Sequence, residues 1–381
     1  MKNLKIILIN IFILLGLLLI LDISLGFLSV NINNLPVSSR YVQLREYSPN
    51  LNNEKISVTL ENKTKIETTI STDENGFIIG PNNSKDNTNI DIIFMGGSTT
   101  ENYLLKPQNR FPYLVQELVK SKYNNDFKTL NAGVSGSSVA NSNIVLYSKV
   151  VDLSPSYVFL MHNVNDLVLL SKTKSYWKAP LGRSIIYDIN EKNEINNRNN
   201  LYYFLKWIKD NFYSNLYRIT KNYLLIDDWF FARNMGVISD EFYEFRENFY
   251  IKNKDEKIEI ESQFRNALKT FINISKSNGI MPVLMTQPNR IDNKSNYFIK
   301  EFKKWGYNES QLKIFSEAFQ AFNKIIVEVA TDLEVSFIDL NNIIPKDEEY
   351  IYDSVHLTNK GSILAANSIF EFISENLISF E

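Results

Sequence analysis

From residue 90 onward, short apolar runs typical of buried strands alternate with longer stretches of helical pattern, and this alternation restricts the possible folds most. Strands that alternate with helices form βαβ units, whose parallel sheet is covered by helices on both faces. The sequence therefore predicts a three-layer α/β/α fold, doubly wound and flavodoxin-like, around a parallel five-stranded sheet. Ligands of such folds bind beyond the carboxyl ends of the strands. The predicted strands cover residues 90–95, 129–131, 157–161, 280–285 and 335–340.

The N-terminal residues form a separate apolar segment that is longer than the core of an ordinary signal peptide. Apolar residues extend from residue 6 to residue 30 and are interrupted mainly by Asn10 and Asp22. A helix of about 20 apolar residues spans a bilayer, so residues 1–30 are predicted to form a transmembrane anchor, with residues 6–30 in the lipid bilayer. Lys2 and Lys5 precede the segment, which predicts a single-pass membrane protein whose main domain lies outside the cytoplasm. A cleaved signal peptide and a buried core helix are the alternatives.

Two further regions depart from the alternating pattern. Residues 31–89 are polar and rich in Asn, and they are predicted to form a spacer with a small β element. Residues 90–380 are predicted to form the main domain, with an aromatic-rich insertion at 171–257 that includes Tyr176 and Trp177. In one interpretation the insertion packs its aromatic side chains against the core, and in the other it forms a lid or substrate wall over the strand ends.

The composition excludes several classes of function. Lys and Arg total 41 and Asp and Glu total 43, a net charge of −2, so the electrostatic basis for nucleic-acid binding is missing. The chain has no Cys, which excludes disulfides, thiolate metal sites and a Cys nucleophile. It has two His residues, His162 and His356, so a zinc site with several His ligands is excluded and no metal is expected.

Three short motifs follow the first three predicted strands of the main domain. In the first, Gly96 and Gly97 permit a tight turn, and Ser98 would begin the next helix, where a developing oxyanion is favoured. In the second, Gly136 can present its backbone N–H without a side chain in the way. In the third, Asn165 can direct its amide at a developing negative charge. Each motif alone also fits an ordinary turn, a helix cap or a phosphate-binding loop.

A fourth motif, Asp353-Ser354-Val355-His356, lies near the C-terminus in the last predicted strand-to-helix connection. A carboxylate three residues before an imidazole can accept a hydrogen bond from Nδ1–H. Nε2 is then free to take a proton from a serine. A structural His that is satisfied by its neighbours is the alternative. His162 is predicted to be a packing residue or a residue at the rim of the site.

In this order, the four motifs resemble those of the SGNH hydrolases, the superfamily of GDSL-type esterases and lipases. The resemblance covers about residues 90–377. It implies that Ser98 is the nucleophile and that His356 is the general base, oriented by Asp353. It also implies an oxyanion hole made by the backbone N–H groups of Ser98 and Gly136 and by the side chain of Asn165.

The first and third motifs depart from the family pattern. The first reads Gly-Gly-Ser-Thr in place of Gly-Asp-Ser-Leu, and Asn163 stands where the family has a Gly two residues before the Asn. Neither departure removes a catalytic group. Asn163, however, would change the shape of the wall of the oxyanion hole.

The anchor and the resemblance together predict a membrane-anchored serine esterase with no cofactor. It would hydrolyse or transfer O-acyl groups, with an acyl-ester substrate on a carbohydrate or cell-envelope polymer. A non-catalytic SGNH-fold protein for binding or assembly in envelope polysaccharide biogenesis is the alternative. A nucleotide-binding domain is a third interpretation, but it would require a Lys in the glycine loop, and residues 96–100 contain none.

Overall fold

A computed structural model provides the structure of the chain. It describes residues 10, 13, 40–42, 44–59, 65–81, 90–123, 126–177, 186–188, 254–291, 298–300 and 308–377.

Five parallel strands form the central sheet, as the sequence predicts. Their order across the sheet is β5-β4-β6-β8-β9, the doubly wound order in which the chain starts inside the sheet and reverses direction beside the first strand. These strands are β4 (Ile92–Gly96), β5 (Thr129–Gly133), β6 (Tyr157–Met161), β8 (Met281–Met285) and β9 (Ser336–Ile338). Within residues 31–89, β2 (Glu54–Thr59) and β3 (Lys65–Ile70) form an antiparallel pair. The remaining described strands, β1 (Arg40–Val42) and β7 (Ile186–Asp188), form a two-stranded sheet.

Helices follow the strands of the central sheet, as βαβ units require. A π-helical turn, Leu146–Val150, joins the two helices Val139–Val145 and Val151–Leu153. The described helices are α1 (Ser98–Glu101), α2 (Phe111–Tyr123), α3 (Val139–Val145), α4 (Val151–Leu153), α5 (Val164–Thr173), α6 (Lys254–Ser277), α7 (Glu309–Asp332), α8 (Leu340–Ile343) and α9 (Asn359–Asn376).

Helix α7 illustrates how the local sequence specifies an element. The side chain of Asn308 accepts a hydrogen bond from the Gln311 backbone at 2.9 Å, and the side chain of Gln311 accepts one from the Asn308 backbone at 2.7 Å. This reciprocal cap satisfies backbone donors at the start of the helix. Apolar residues then recur every three or four positions and are buried, so one face of α7 packs on the sheet. They include Leu312, Phe315, Phe319, Phe322, Ile326 and Val329.

The sheet is buried on both faces, because successive side chains of a strand point to opposite sides. Ile92 and Phe94 share a hydrophobic cluster with residues of α2 and α9, such as Phe111 and Ile369. On the other side the strands contact α3, α6 and α7. Because all five strands are parallel, their carboxyl ends lie at one edge of the sheet, where the loops carrying the motifs begin.

The chain divides into two compact units, residues 1–41 with 186–213, and residues 42–185 with 214–381. The first unit contains β7 and the first two residues of β1. The central sheet belongs to the second unit. Most of the predicted insertion at 171–257 lies outside the described residues, which include 171–177, 186–188 and 254–257 of it.

The predicted transmembrane segment, residues 6–30, lies outside the described residues except for Asn10 and Ile13. Within the described part of the chain, no helix combines the length and the apolar character that crossing a membrane requires.

Candidate active site

Ser98 lies two residues after the end of β4, at the first position of the short helix α1. Gly97 is in an extended conformation before it, and the helix ends after one turn at Asn102, whose φ of 55° is left-handed. The side chain of Ser98 is half-buried. The turn therefore presents a serine hydroxyl at the carboxyl edge of the sheet, where the fold places its ligands.

The C-terminal motif brings His356 and Asp353 to this serine. The distance from His356 Nε2 to Ser98 Oγ is 2.8 Å, and the distance from His356 Nδ1 to Asp353 Oδ2 is 2.6 Å. The ring of Tyr352 stacks on the imidazole, with centroids 5.6 Å apart and an angle of 16° between the planes. Serine, imidazole and carboxylate are thus linked in the order that nucleophile activation requires.

Asp353 is held as a hydrogen-bond acceptor by its own loop. Its Oδ1 accepts hydrogen bonds from the backbone N–H groups of Val355 and His356, both at 2.9 Å. Burial raises the pKa of Asp353. The hydrogen bond from His356, the charge of His356 and the two backbone hydrogen bonds lower this pKa by more, so that it lies below the usual value. An ionised Asp353 accepts a hydrogen bond from Nδ1–H of His356, which leaves Nε2 as the acceptor for the hydroxyl of Ser98.

Asn165 lies against the serine turn. Its Nδ2 donates to the carbonyl oxygen of Ser137 at 2.9 Å. A Cβ at position 97 would lie 2.5 Å from the same Nδ2, so any side chain there would displace the amide. The close approach therefore favours a glycine at position 97 in this chain. The amide nitrogen carries two protons, and the second can serve an oxyanion beside Ser98.

Gly136 lies in the loop after β5 in a left-handed conformation, with a φ of 76°. Glycine adopts this conformation without the penalty that other residues incur. A Cβ at this position would also lie 2.9 Å from Nη1 of Arg45, which donates to the Ser135 carbonyl at 3.0 Å. The backbone conformation therefore favours a glycine here, and a larger residue would also displace the guanidinium of Arg45.

Asn163 does not intrude on the site, although the family has a glycine at its position. Its φ of −168° lies outside the left-handed region that favours glycine. Its Nδ2 donates at 2.9 Å both to the Phe319 carbonyl and to Oδ1 of Asn323 on α7. The side chain is therefore engaged by the helix layer, and a glycine is not required.

His162 belongs to a second Ser-His-Asp group, which is buried in the interior. Its Nε2 lies 2.7 Å from Ser142 Oγ, and its Nδ1 lies 3.6 Å from Asp166 Oδ2. Burial lowers the pKa of His162 to about 3 and raises that of Asp166 to about 7. Because Ser142, His162 and Asp166 are all buried, a substrate has no access to this hydroxyl. His162 is thus a packing residue, one of the two interpretations that the sequence allowed.

Tyr176 and Trp177, adjacent aromatic residues at the start of the predicted insertion, have opposite environments. Tyr176 is 5% exposed, and its hydroxyl donates to Asp166 Oδ1 at 2.7 Å, so it belongs to the core. Trp177 is 61% exposed. The interpretation as a substrate wall is wrong for Tyr176, because its ring is already buried, and stays a prediction for Trp177.

Sequence reasoning missed polar residues that surround the triad. Glu101 is buried one helical turn after Ser98 and accepts hydrogen bonds from Tyr47 and Ser135. Burial raises the pKa of Glu101, although both hydrogen bonds oppose this effect. A second group, residues 286–290, follows β8. The signal for it was available, because this polar run ends a buried strand as the other motifs do.

Among the described residues, no group of three or more His, Cys, Asp or Glu side chains is placed so that it could hold a metal ion.

Several solved structures are similar to this chain. A GDSL-like lipase from Bacteroides thetaiotaomicron is 14% identical, with 75% of this chain and 89% of that chain covered and a TM-score of 0.40. A catalytic mutant of an acetylxylan esterase from Geobacillus stearothermophilus is 13% identical, with coverages of 80% and 99% and a TM-score of 0.40. A lipase/acylhydrolase from Enterococcus faecalis is 15% identical, with coverages of 77% and 100% and a TM-score of 0.41.

No protein-family model and no curated protein matches the sequence. The assignment of the site therefore rests on its own side chains.

Proposed function

We propose that the chain is a membrane-anchored serine esterase of SGNH type that hydrolyses or transfers O-acyl groups. The observation that carries the proposal is the hydrogen-bonded series from Ser98 through His356 to Asp353, with distances of 2.8 and 2.6 Å. These groups are partly exposed, whereas the other Ser-His-Asp group of the described chain is buried. Exposure and order of contact together favour this serine as the nucleophile.

Acylation begins when Ser98 Oγ attacks the carbonyl carbon of an ester and His356 Nε2 takes the hydroxyl proton. The carbonyl oxygen becomes an oxyanion, for which the backbone N–H groups of Ser98 and Gly136 and the amide of Asn165 are the proposed donors. Asp353 stabilises the imidazolium that forms. His356 then gives the proton to the alkoxide oxygen as the C–O bond breaks, and the alcohol leaves.

The acyl group is removed from Ser98 by the same groups in reverse. His356 takes a proton from a second nucleophile, whose oxygen attacks the acyl carbon, and returns that proton to Ser98 Oγ as the serine ester breaks. Water as the nucleophile gives hydrolysis, and a sugar hydroxyl gives acyl transfer. Neither reaction requires a metal or an organic cofactor.

The location and substrate class are further parts of the proposal. The apolar segment at residues 6–30 and the preceding Lys2 and Lys5 support a single-pass anchor with the catalytic domain outside the cytoplasm. An enzyme held at that surface meets the carbohydrates and polymers of the cell envelope, and their O-acyl groups are the proposed substrates.

Activity-based labelling tests the central claim. A fluorophosphonate reacts when a serine oxygen forms a bond to phosphorus and fluoride leaves, which requires an activated serine. We expect labelling of the wild-type chain on the peptide that contains Ser98, as located by mass spectrometry, and none in Ser98→Ala. Absence of labelling in the folded wild-type chain would favour a non-catalytic binding or assembly protein. Product analysis with and without an added sugar acceptor then separates hydrolysis from transfer.

A further inference from the structure

We infer that Gln287 is a positioning residue of this active site, which connects the loops of the nucleophile, of the general base and of the oxyanion-hole amide through its buried side chain. The inference rests on the proposed function, because it concerns how that site is held together. None of the four sequence motifs includes Gln287.

The side-chain amide of Gln287 bridges two of the three loops. Gln287 follows β8 by two positions and is 3% exposed. Its Nε2 donates to Oγ1 of Thr99 at 2.7 Å, and its Oε1 accepts from the backbone N–H of Val164 at 2.8 Å. Thr99 directly follows Ser98, and Val164 directly precedes Asn165. One amide therefore holds the nucleophile turn and the start of the Asn165 helix at a set separation.

The hydroxyl of Thr99 extends the bridge to the third loop. Its Oγ1 accepts from Gln287 and donates its own proton to the carbonyl oxygen of Val355 at 3.3 Å. Val355 directly precedes His356. A hydroxyl has one proton and two lone pairs, so it can make both contacts at once. The backbone next to Ser98 and the backbone next to His356 are thus connected by a single side chain.

The bridge is anchored on helix α7. Asn323 accepts from the Gln287 backbone N–H and donates to its carbonyl oxygen, both at 3.0 Å. The same Asn323 Oδ1 accepts from Asn163 Nδ2 at 2.9 Å. Thr99, Gln287, Asn323 and Asn163 are all buried. In the interior, removal of one partner of a hydrogen bond leaves the other partner buried without that bond, which is costly.

The geometry of the triad depends on contacts of this kind. Ser98 and His356 are separated by 258 positions in the chain, so the 2.8 Å distance between Oγ and Nε2 is set by tertiary contacts. A displacement of about 1 Å at a reacting group can lower the rate about 100-fold. Loss of the bridge is therefore expected to lower kcat more than it raises KM.

The experiment uses the full chain and two measurements. The first is the rate constant for fluorophosphonate labelling of Ser98, and the second is the kcat and KM for hydrolysis of a small acetyl ester. Thr99→Val removes the hydroxyl at nearly constant shape, whereas Thr99→Ser keeps it. Gln287→Met removes both hydrogen-bonding groups of the amide. Asn341→Ala is the control for stability, because Asn341 pairs with Asn289 in the interior near the same loop, at 2.8 Å, without contacting the triad loops.

We expect Thr99→Val and Gln287→Met each to lower kcat and the labelling rate constant about 10- to 100-fold, with KM changed less than about threefold. Thr99→Ser should restore most of the rate. The double variant Thr99→Val/Gln287→Met should lose less than the product of the two single losses, because both substitutions remove the hydrogen bond between Gln287 and Thr99. Asn341→Ala should lower the thermal midpoint about as much as Thr99→Val and Gln287→Met do, and it should keep the wild-type kcat.

Three results would overturn the inference. Wild-type kcat and labelling in Thr99→Val would show that the bridge does not position the triad. Equal losses in Thr99→Ser and Thr99→Val would assign the effect to packing. A loss of kcat in Asn341→Ala in proportion to its thermal midpoint would assign it to stability. Absence of labelling in the wild-type chain is a distinct outcome, which would refute the proposed function and this inference with it.

Discussion

Asp353→Asn is expected to lower kcat about 10⁴-fold and to leave the fold intact. The reason lies in the orientation of the carboxylate. Its Oδ1 accepts the backbone N–H groups of Val355 and His356 at 2.9 Å, and its Oδ2 faces His356 Nδ1 at 2.6 Å. An Asn side chain has one acceptor oxygen. That oxygen stays with the two backbone donors, so the amide nitrogen turns toward the imidazole.

The turned amide reverses the tautomer of His356. An NH₂ group donates and cannot accept, so Nδ1 must become the acceptor and the ring proton moves to Nε2. A protonated Nε2 cannot take the proton of Ser98, and the nucleophile is no longer activated. A factor of ten in rate corresponds to about 1.4 kcal/mol of barrier, so the expected loss is about 5–6 kcal/mol. KM should change little, because the proposed oxyanion donors are untouched.

The assay is steady-state hydrolysis of a small acetyl ester, together with the thermal midpoint of each variant. Asp347→Asn is the matched control. It makes the same chemical change on the same loop, where exposed Asp347 accepts only local contacts such as the Glu349 backbone N–H at 2.9 Å. The control should keep wild-type kcat. If Asp353→Asn retained about a tenth or more of the wild-type kcat, the orienting role of Asp353 would be refuted.

Four further outcomes are expected. Ser98→Ala should lower kcat roughly 10⁴- to 10⁶-fold with an unchanged thermal midpoint, and comparable turnover by both proteins would exclude the serine mechanism. Tyr176→Ala should cost roughly 3–5 kcal/mol of stability, whereas Trp177→Ala should leave the thermal midpoint nearly unchanged and raise KM for a polymeric substrate more than for a small ester; equal midpoints of the two variants would contradict their burial. The cost in stability of His162→Gln should be largest above pH 6.5 and should shrink as the pH falls toward 3, as followed by thermal melts, because the folded protein keeps His162 neutral with a pKa of about 3 while the unfolded chain takes up a proton below about 6.5. Removal of residues 1–39 should release the protein from membranes that retain the full chain through a carbonate wash, and recovery of a mature chain that lacks residues 1–30 would indicate a cleaved signal instead.

The central sheet was predictable because its evidence is local. Strands such as Tyr157–Met161 are buried on both faces, so each is an apolar run that contrasts with the amphipathic helices around it. Once the strands are located, the doubly wound fold places their carboxyl ends at one edge. Ser98 follows the end of β4, and His356 lies in the connection before the last helix. For this reason sequence reasoning placed both residues at the same edge.

Local sequence could not distinguish residues whose roles depend on burial. Each His has an Asp nearby in sequence, Asp166 four residues after His162 and Asp353 three residues before His356. The layers of the fold bury the first pair and leave the second partly exposed. Tyr176 and Trp177 are likewise adjacent in sequence and opposite in exposure.

The elements of the central sheet, their order along the chain and the chemical groups at the strand ends were thus predictable, because these depend on the periodicity of apolar residues and on residue type. Which polar side chains meet depends instead on tertiary packing. Gln287 and Thr99 are 188 positions apart, and Asn163 and Asn323 are 160 apart. A hydrogen bond depends on distances of tenths of an ångström, which follow from the packing of whole helices and have no signature in the nearby sequence.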